Sequence, residues 1–137
     1  METRIAKTIE NHKKGYNCCQ AVACAYCDLV GMDEKTMFQA AEAFGAGMGG
    51  MQATCGAVSG AMLLAGLKNS TGNLESPDSK MGTYQLSKEM VAQFRQKNGS
   101  VVCKELKGVE SGQPLRSCDG CIEDAAALAE KILFGDK

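Results

Sequence analysis

A chain of 137 residues with 15 basic and 16 acidic side chains, net charge −1, lacks the positive surplus that binding to nucleic acid or an anionic membrane surface requires. Aromatic residues make up 5% and tryptophan is absent, which argues against base-stacking platforms and leaves Ala, Leu, Met, Val and Cys to build the core. The longest apolar run, AVSGAMLLAGL, falls well short of the roughly 20 residues of a membrane span, and the opening METRIAKTIENHKKGYN has no apolar signal region, so the expected compartment is the cytoplasm.

Along the chain, apolar spacing and capping residues predict helices throughout. TRIAKTIENHKKG reads as a short amphipathic helix closed by Gly15. NCCQAVACAYCDLVG reads as a second, capped by Asn17 with Gln20 three residues on, and closed by Gly31. DEKTMFQAAEAFG opens at cap Asp33, with Glu34 in its first turn. GAGMGGMQA is irregular, and Thr54 then caps a fourth helix, CGAVSGAMLLAGLKN. STGNLESPDS is a loop of turn formers, followed by a longer fifth helix, KMGTYQLSKEMVAQFRQKNG. Ser100 caps a short helix, VVCKELKG; VESGQPLRS is a second loop; Ser117 caps the last helix, CDGCIEDAAALAEKILFG. No segment alternates as a strand does. The expected fold class is all-α, a compact single-domain bundle of about six or seven short helices over residues 1–137.

Eight cysteines are many for a chain of this size. In a reducing compartment they stay free unless they bind metal or cycle in redox chemistry. Four share one position: Cys18 follows cap Asn17, Cys55 follows cap Thr54, Cys118 follows cap Ser117, and Cys103 lies three residues after Ser100. All four are expected in the first turn of a helix. Unpaired N–H groups and the helix dipole there favour a thiolate, the reactive and ligating form. Cys24 and Cys27 fall inside the second helix among Ala, Val and Leu, where cysteine is an ordinary small hydrophobe. Cys19 adjoins Cys18. Cys121 completes the CxxC of CDGC, a layout used by dithiol oxidoreductases, although Asp119 within it disfavours a neighbouring thiolate. CDGC and CAYC together could also supply a four-cysteine zinc site, but CAYC would have to present its thiols from mid-helix. His12, within ENHKK, reads as a solvated surface residue, and Tyr16 and Tyr84 are the tyrosines that could donate to a thiolate.

Gly56, Ala57, Gly60 and Ala61 form a small-residue face at helical spacing, suited to close helix contact. The leader GAGMGG fits G-x-G-x-x-G at Gly45, Gly47 and Gly50, but a helix rather than a strand precedes it, so a loop passing close to other backbone is expected instead of a nucleotide site.

The stretches GYNCCQAV, FGAGMGGM and CGAVSGA, the spacing F-x4-G-x3-C-x2-L-x-G from Phe94 to Gly108, and C-x6-AA in the last helix together resemble one family. It is the redox-active family named for its C, GCAxxG, C, C cysteine pattern, and the likeness runs from about Gly15 to Leu133. The resemblance implies that the four defining cysteines correspond to Cys18, Cys55, Cys103 and Cys118, and that Cys19, Cys24, Cys27 and Cys121 lie outside the pattern. The expected function is thiol-based redox chemistry, a candidate thiol–disulfide oxidoreductase in which Cys55 attacks and Cys18 or Cys103 resolves. Its expected partner is a redox protein or a small thiol. The alternative uses the same four cysteines as ligands for zinc or an iron–sulfur cluster.

Overall fold

In the computed structural model, which describes residues 1–135, every residue of helix α2 (Cys18–Ala25) after Cys18 is buried. A helix that is apolar on all sides must be surrounded. Here α1 (Ile5–Lys13), α3 (Glu34–Ala41), α4 (Gly56–Asn69) and α7 (Cys118–Ile132) pack against α2. Its polar residue, Gln20, is fully used: Oε1 accepts from the Asn17 N–H at 2.9 Å and Nε2 donates to the Phe38 carbonyl at 3.0 Å. The Asn17 side chain accepts in turn from the Gln20 N–H at 2.9 Å, so the expected capping box is present.

The second helix does not run on to Gly31 as one element. At Tyr26 φ falls to −120° and the chain tightens into a 3-10 turn, Cys27–Val30, closed by Gly31 at φ +74°. The Tyr26 side chain is held elsewhere: its hydroxyl donates to the Glu130 carboxylate, and its ring stacks on Phe134 with centroids 5.5 Å apart. A side chain anchored on α7 fixes where the α2 backbone ends.

Helix α5 (Lys80–Asn98) packs on α4 and α7, and α6 (Cys103–Lys107) is a single short turn. Among the described residues there are seven α-helices, two 3-10 turns and no strand, so the fold is all-α. The caps at Asp33 and Ser117 form as expected, accepting from Thr36 N at 2.9 Å and Gly120 N at 3.0 Å. Two others do not. Helix α4 starts at Gly56, with Cys55 rather than Thr54 at the cap, and α6 is capped by Val102 rather than Ser100. The reason is tertiary. The Cys55 N–H donates to the Val101 carbonyl at 2.7 Å, Cys103 N–H to Ala53 at 2.9 Å and Lys104 N–H to Met51 at 3.1 Å. Thr54 and Val102 form one antiparallel bridge between the two segments, which holds Thr54 outside the helix. Ser100 instead accepts from Val102 N–H at 2.9 Å and donates to the Glu105 carboxylate. Among the described residues no helix is long and apolar enough to cross a membrane.

The small-residue face of α4 makes the contact its spacing suggested. A Cβ on Gly60 would lie 2.8 Å from the Cys19 carbonyl oxygen, and one on Gly56 would lie 3.1 Å from Cys18 Cβ and 3.2 Å from the Cys19 nitrogen. Gly66, further along α4, faces open space. Gly60→Ala should therefore destabilise the fold by about 1–3 kcal/mol, since backbone cannot yield cheaply. Gly66→Ala should stabilise it by about 0.5–1 kcal/mol through helix propensity. Urea unfolding of the two variants beside the parent chain checks both signs.

Candidate functional site

Cys18, Cys55, Cys103 and Cys118 line one small cavity of about 70 Å³, together with Cys121, Lys107, Leu106, Gly56 and the loop residues Ala46, Gly47 and Met51. Each thiol is placed by a helix start. Cys18 and Cys118 are the first residues of α2 and α7, directly after caps Asn17 and Ser117. Cys103 is the first residue of α6. Cys55 is itself the cap residue of α4, not its first residue. Its side chain makes no capping hydrogen bond, but the N–H groups of Ala57 and Val58 in the first turn favour its anion.

Two residues of the cavity lay outside the four expected at the site: Cys121, noted only as the second thiol of CDGC, and Lys107, which sequence did not single out. Cys121 lies one turn beyond Cys118 on α7, and Lys107 lies one turn beyond Cys103 on α6, so each shares a helix face with a thiol already in the site. That i, i+3 or i, i+4 spacing is the signal that could have found them.

Burial disfavours thiolates, and it pushes Cys18 up to about 12 and raises Cys103, with the neighbouring thiols adding to the effect. Cys55 goes the other way, down to about 7. The largest cause is a side-chain hydrogen bond with Cys121, which outweighs desolvation; the Ala57 and Val58 N–H groups and the Lys107 ammonium add to it. Cys121, the donor, is raised correspondingly, first by that same bond and then by burial. A second pair sits beside the first: Cys118 adds to the rise at Cys18, after burial, and it raises Lys107 as well. Cys55, Cys103 and Cys121 are buried, whereas Cys18 and Cys118 are half-buried.

The cavity is roofed by the glycine-rich loop. Ala46, Gly47, Met48, Gly49, Gly50 and Met51 all have positive φ, from 51° to 77°, forming a left-handed turn closed by Met51 N–H on the Ala46 carbonyl at 2.7 Å and Ala53 N–H on Gly47 at 2.8 Å. Three of the six carry side chains, each costing about 1–2 kcal/mol in this region. Gly47 is required for proximity as well: a Cβ there would lie 2.3 Å from Cys103 Cβ and 3.0 Å from its sulfur. The loop therefore passes close to other groups, as expected, and the G-x-G-x-x-G pattern follows a 3-10 turn, Glu42–Phe44, rather than a strand.

The remaining cysteines lie outside the cavity. Cys19, Cys24 and Cys27 are buried, with Cys19 and Cys24 pushed by burial to about 12 and Cys27 raised by the same cause. His12 is not simply a solvated residue: it is half-buried, with Nδ1 2.7 Å from Asp119 Oδ1. Asp119 consequently faces α1, and the carboxylate expected to oppose a thiolate in CDGC is held away from the cavity. Tyr16 donates to Glu34 at 2.6 Å, and Tyr84 lies exposed on α5, so neither donates to a thiol of the site. Among the described residues no group of three or more His, Cys, Asp or Glu is disposed to hold a metal ion.

A family model described as "Putative redox-active protein (C_GCAxxG_C_C)" matches residues 16–132. The chain belongs to that family. No curated protein and no solved structure matches it. Lys107 favours the Cys55 anion, so Lys107→Met should raise the Cys55 pKa. The pH midpoint of Cys55 alkylation, followed by peptide mass mapping, should then move upward from about 7.

Proposed function

We propose that the cavity is a thiol–disulfide exchange centre in which Cys55 is the attacking thiolate and Cys121 the resolving thiol. The observation that carries this reading is the Cys55–Cys121 pair. Both line one cavity with three further thiols, and Cys121 is the largest cause that lowers Cys55, to about 7. The pairing favours Cys121 over the expected Cys18 or Cys103 as the resolving residue.

The chemistry balances without a cofactor. The Cys55 thiolate attacks one sulfur of a disulfide presented to it at the cavity, forming a mixed disulfide and releasing the other sulfur as a thiolate. Cys121 then attacks the Cys55 sulfur and releases the second thiol, with its proton passing to the departing sulfur. The substrate disulfide gains two electrons, and Cys55 and Cys121 lose two. A thiolate with a pKa near ambient pH suits this role, because it is largely ionised while keeping its nucleophilicity. The partner on this reading is a redox protein or a small thiol of the cytoplasm.

Alkylation by iodoacetamide, followed by mass mapping, tests the assignment. Cys55 labelling should rise with pH to a plateau with a midpoint near 7, because only the thiolate reacts. Cys24 and Cys27, as buried as Cys55, should label far more slowly because their raised pKa values keep them as thiols. Cys55→Ser should keep the fold and lose reversible formation of a Cys55–Cys121 disulfide. A Cys55 midpoint at or above the ~8.5 of a free thiol would overturn the proposal.

A further inference from the structure

The exchange centre proposed above leaves a question of access. Cys55 and Cys121 are 5% and 3% exposed, and the left-handed loop roofs the cavity that contains them. A cavity of about 70 Å³ is far too small to admit a peptide or a glutathione-sized disulfide. Cys18 and Cys118 line the same cavity yet are half-buried, so of its five thiols they are the two nearest solvent. Each also opens its helix, α2 and α7, at the cavity. Cys118 and Cys121 stand one turn apart on α7, and Gly56, next to Cys55, leaves a Cβ only 3.1 Å of space before Cys18 Cβ, so each outer cysteine lies beside a residue of the inner pair or its neighbour. From this arrangement we propose that the site holds two dithiols in series: an outer pair, Cys18 and Cys118, that meets the partner, and an inner pair, Cys55 and Cys121, that exchanges electrons only through the outer one.

The relay rests on Cys55 and Cys121 being the exchanging pair. An external disulfide is attacked by Cys118; it leaves one thiol, and Cys18 displaces the other, so the outer pair becomes Cys18–Cys118 and the external disulfide is reduced to two thiols. The Cys55 thiolate then attacks the Cys18 sulfur. The S–S bond between Cys18 and Cys118 breaks, Cys55–Cys18 forms, and Cys118 departs as a thiolate. Lys107, which lines the same cavity, stabilises that leaving group with its ammonium. Finally Cys121 attacks Cys55, forming Cys55–Cys121 and releasing Cys18, to which the Cys121 proton passes. The inner pair has lost two electrons and one proton, and the outer pair, now Cys118 thiolate and Cys18 thiol, has gained them. No further reactant enters. With both pairs oxidised the site would hold two disulfides, a four-electron change within one cavity.

The test uses the full chain, reduced and freed of reductant, mixed with one equivalent of oxidised glutathione. Samples are quenched in acid at intervals, alkylated and mapped by mass spectrometry. In the parent chain, glutathionylated Cys118 or the Cys18–Cys118 disulfide should appear first and Cys55–Cys121 later, at the expense of the first species. In Cys121→Ser the outer disulfide should persist as the end product. In the double variant Cys18→Ser, Cys118→Ser the inner disulfide should form slower by roughly tenfold or more, since exchange rate follows access to the attacked sulfur. If Cys55–Cys121 forms first in the parent chain, and as fast in the double variant, the series arrangement is wrong while the exchange centre stands. If the outer disulfide forms and Cys55–Cys121 never does, the assignment of the inner pair fails and the relay with it. The order of appearance in the parent chain requires no substitution, so it decides the matter even where a variant folds poorly.

Discussion

The contact between α2 and α4 governs the geometry of everything around it. Two missing side chains, at Gly56 and Gly60, let α4 lie directly on the backbone of α2, with the Cys19 carbonyl occupying the space a Cβ would need. A close-packed interior transmits such a constraint, because neighbouring helices have little freedom to compensate. Helix α7 packs on both α2 and α4, which brings the turn bearing Cys118 and Cys121 to the same end as Cys18 and Cys55. Helix α6 is too short to dock by packing alone. Backbone hydrogen bonds from the segment before α4 seat it, and with it Cys103 and Lys107.

The site that results sets two opposing effects against each other. Desolvation disfavours every thiolate in the cavity and wins at Cys18 and Cys103. It loses at Cys55, where a thiol donor, two backbone N–H groups and a lysine ammonium converge on one sulfur. The result is division of labour among chemically identical side chains. One sulfur is drawn toward the anion, and its partner is pushed toward staying protonated. This asymmetry is what separates a nucleophile from a resolving thiol, and it arises from hydrogen-bond direction rather than residue type.

The roof of the cavity is the least economical part of the fold. A left-handed turn of six residues includes Ala46, Met48 and Met51, which gain nothing locally from that backbone. It persists because Gly47 must pass within van der Waals distance of Cys103 and because Lys104 N–H takes the Met51 carbonyl. Strain of this kind is held in place by its surroundings and gathers where function needs an unusual path. Here it encloses three thiols while leaving Cys18 and Cys118 half-open.

Much of this was readable from residue order. The all-α class follows from helical apolar spacing and from caps such as Asn17, Asp33 and Ser117, whose short polar side chains satisfy the first N–H groups of the helix that follows them. The first-turn positions of Cys18 and Cys118 are local consequences of those caps, and the close face of α4 is written in Gly56 and Gly60. What could not be read is anything set by depth or by a distant partner. Cys55 became a cap because Val101, far along the chain, takes its N–H. His12 was drawn to Asp119 across 107 positions. Cys121 and Lys107 share helix faces with cysteines of the site, but spacing says only which residues lie on one face, not which way that face turns. The amino-acid order by itself determined the helices, the starts of α2, α3 and α7, and the thiols of Cys18 and Cys118 placed there, because caps and periodicity act over one or two turns. Only the tertiary structure decided which thiols meet, which one becomes the anion and which two face solvent, because burial and hydrogen-bond partners are set by helices brought together from opposite ends of the chain.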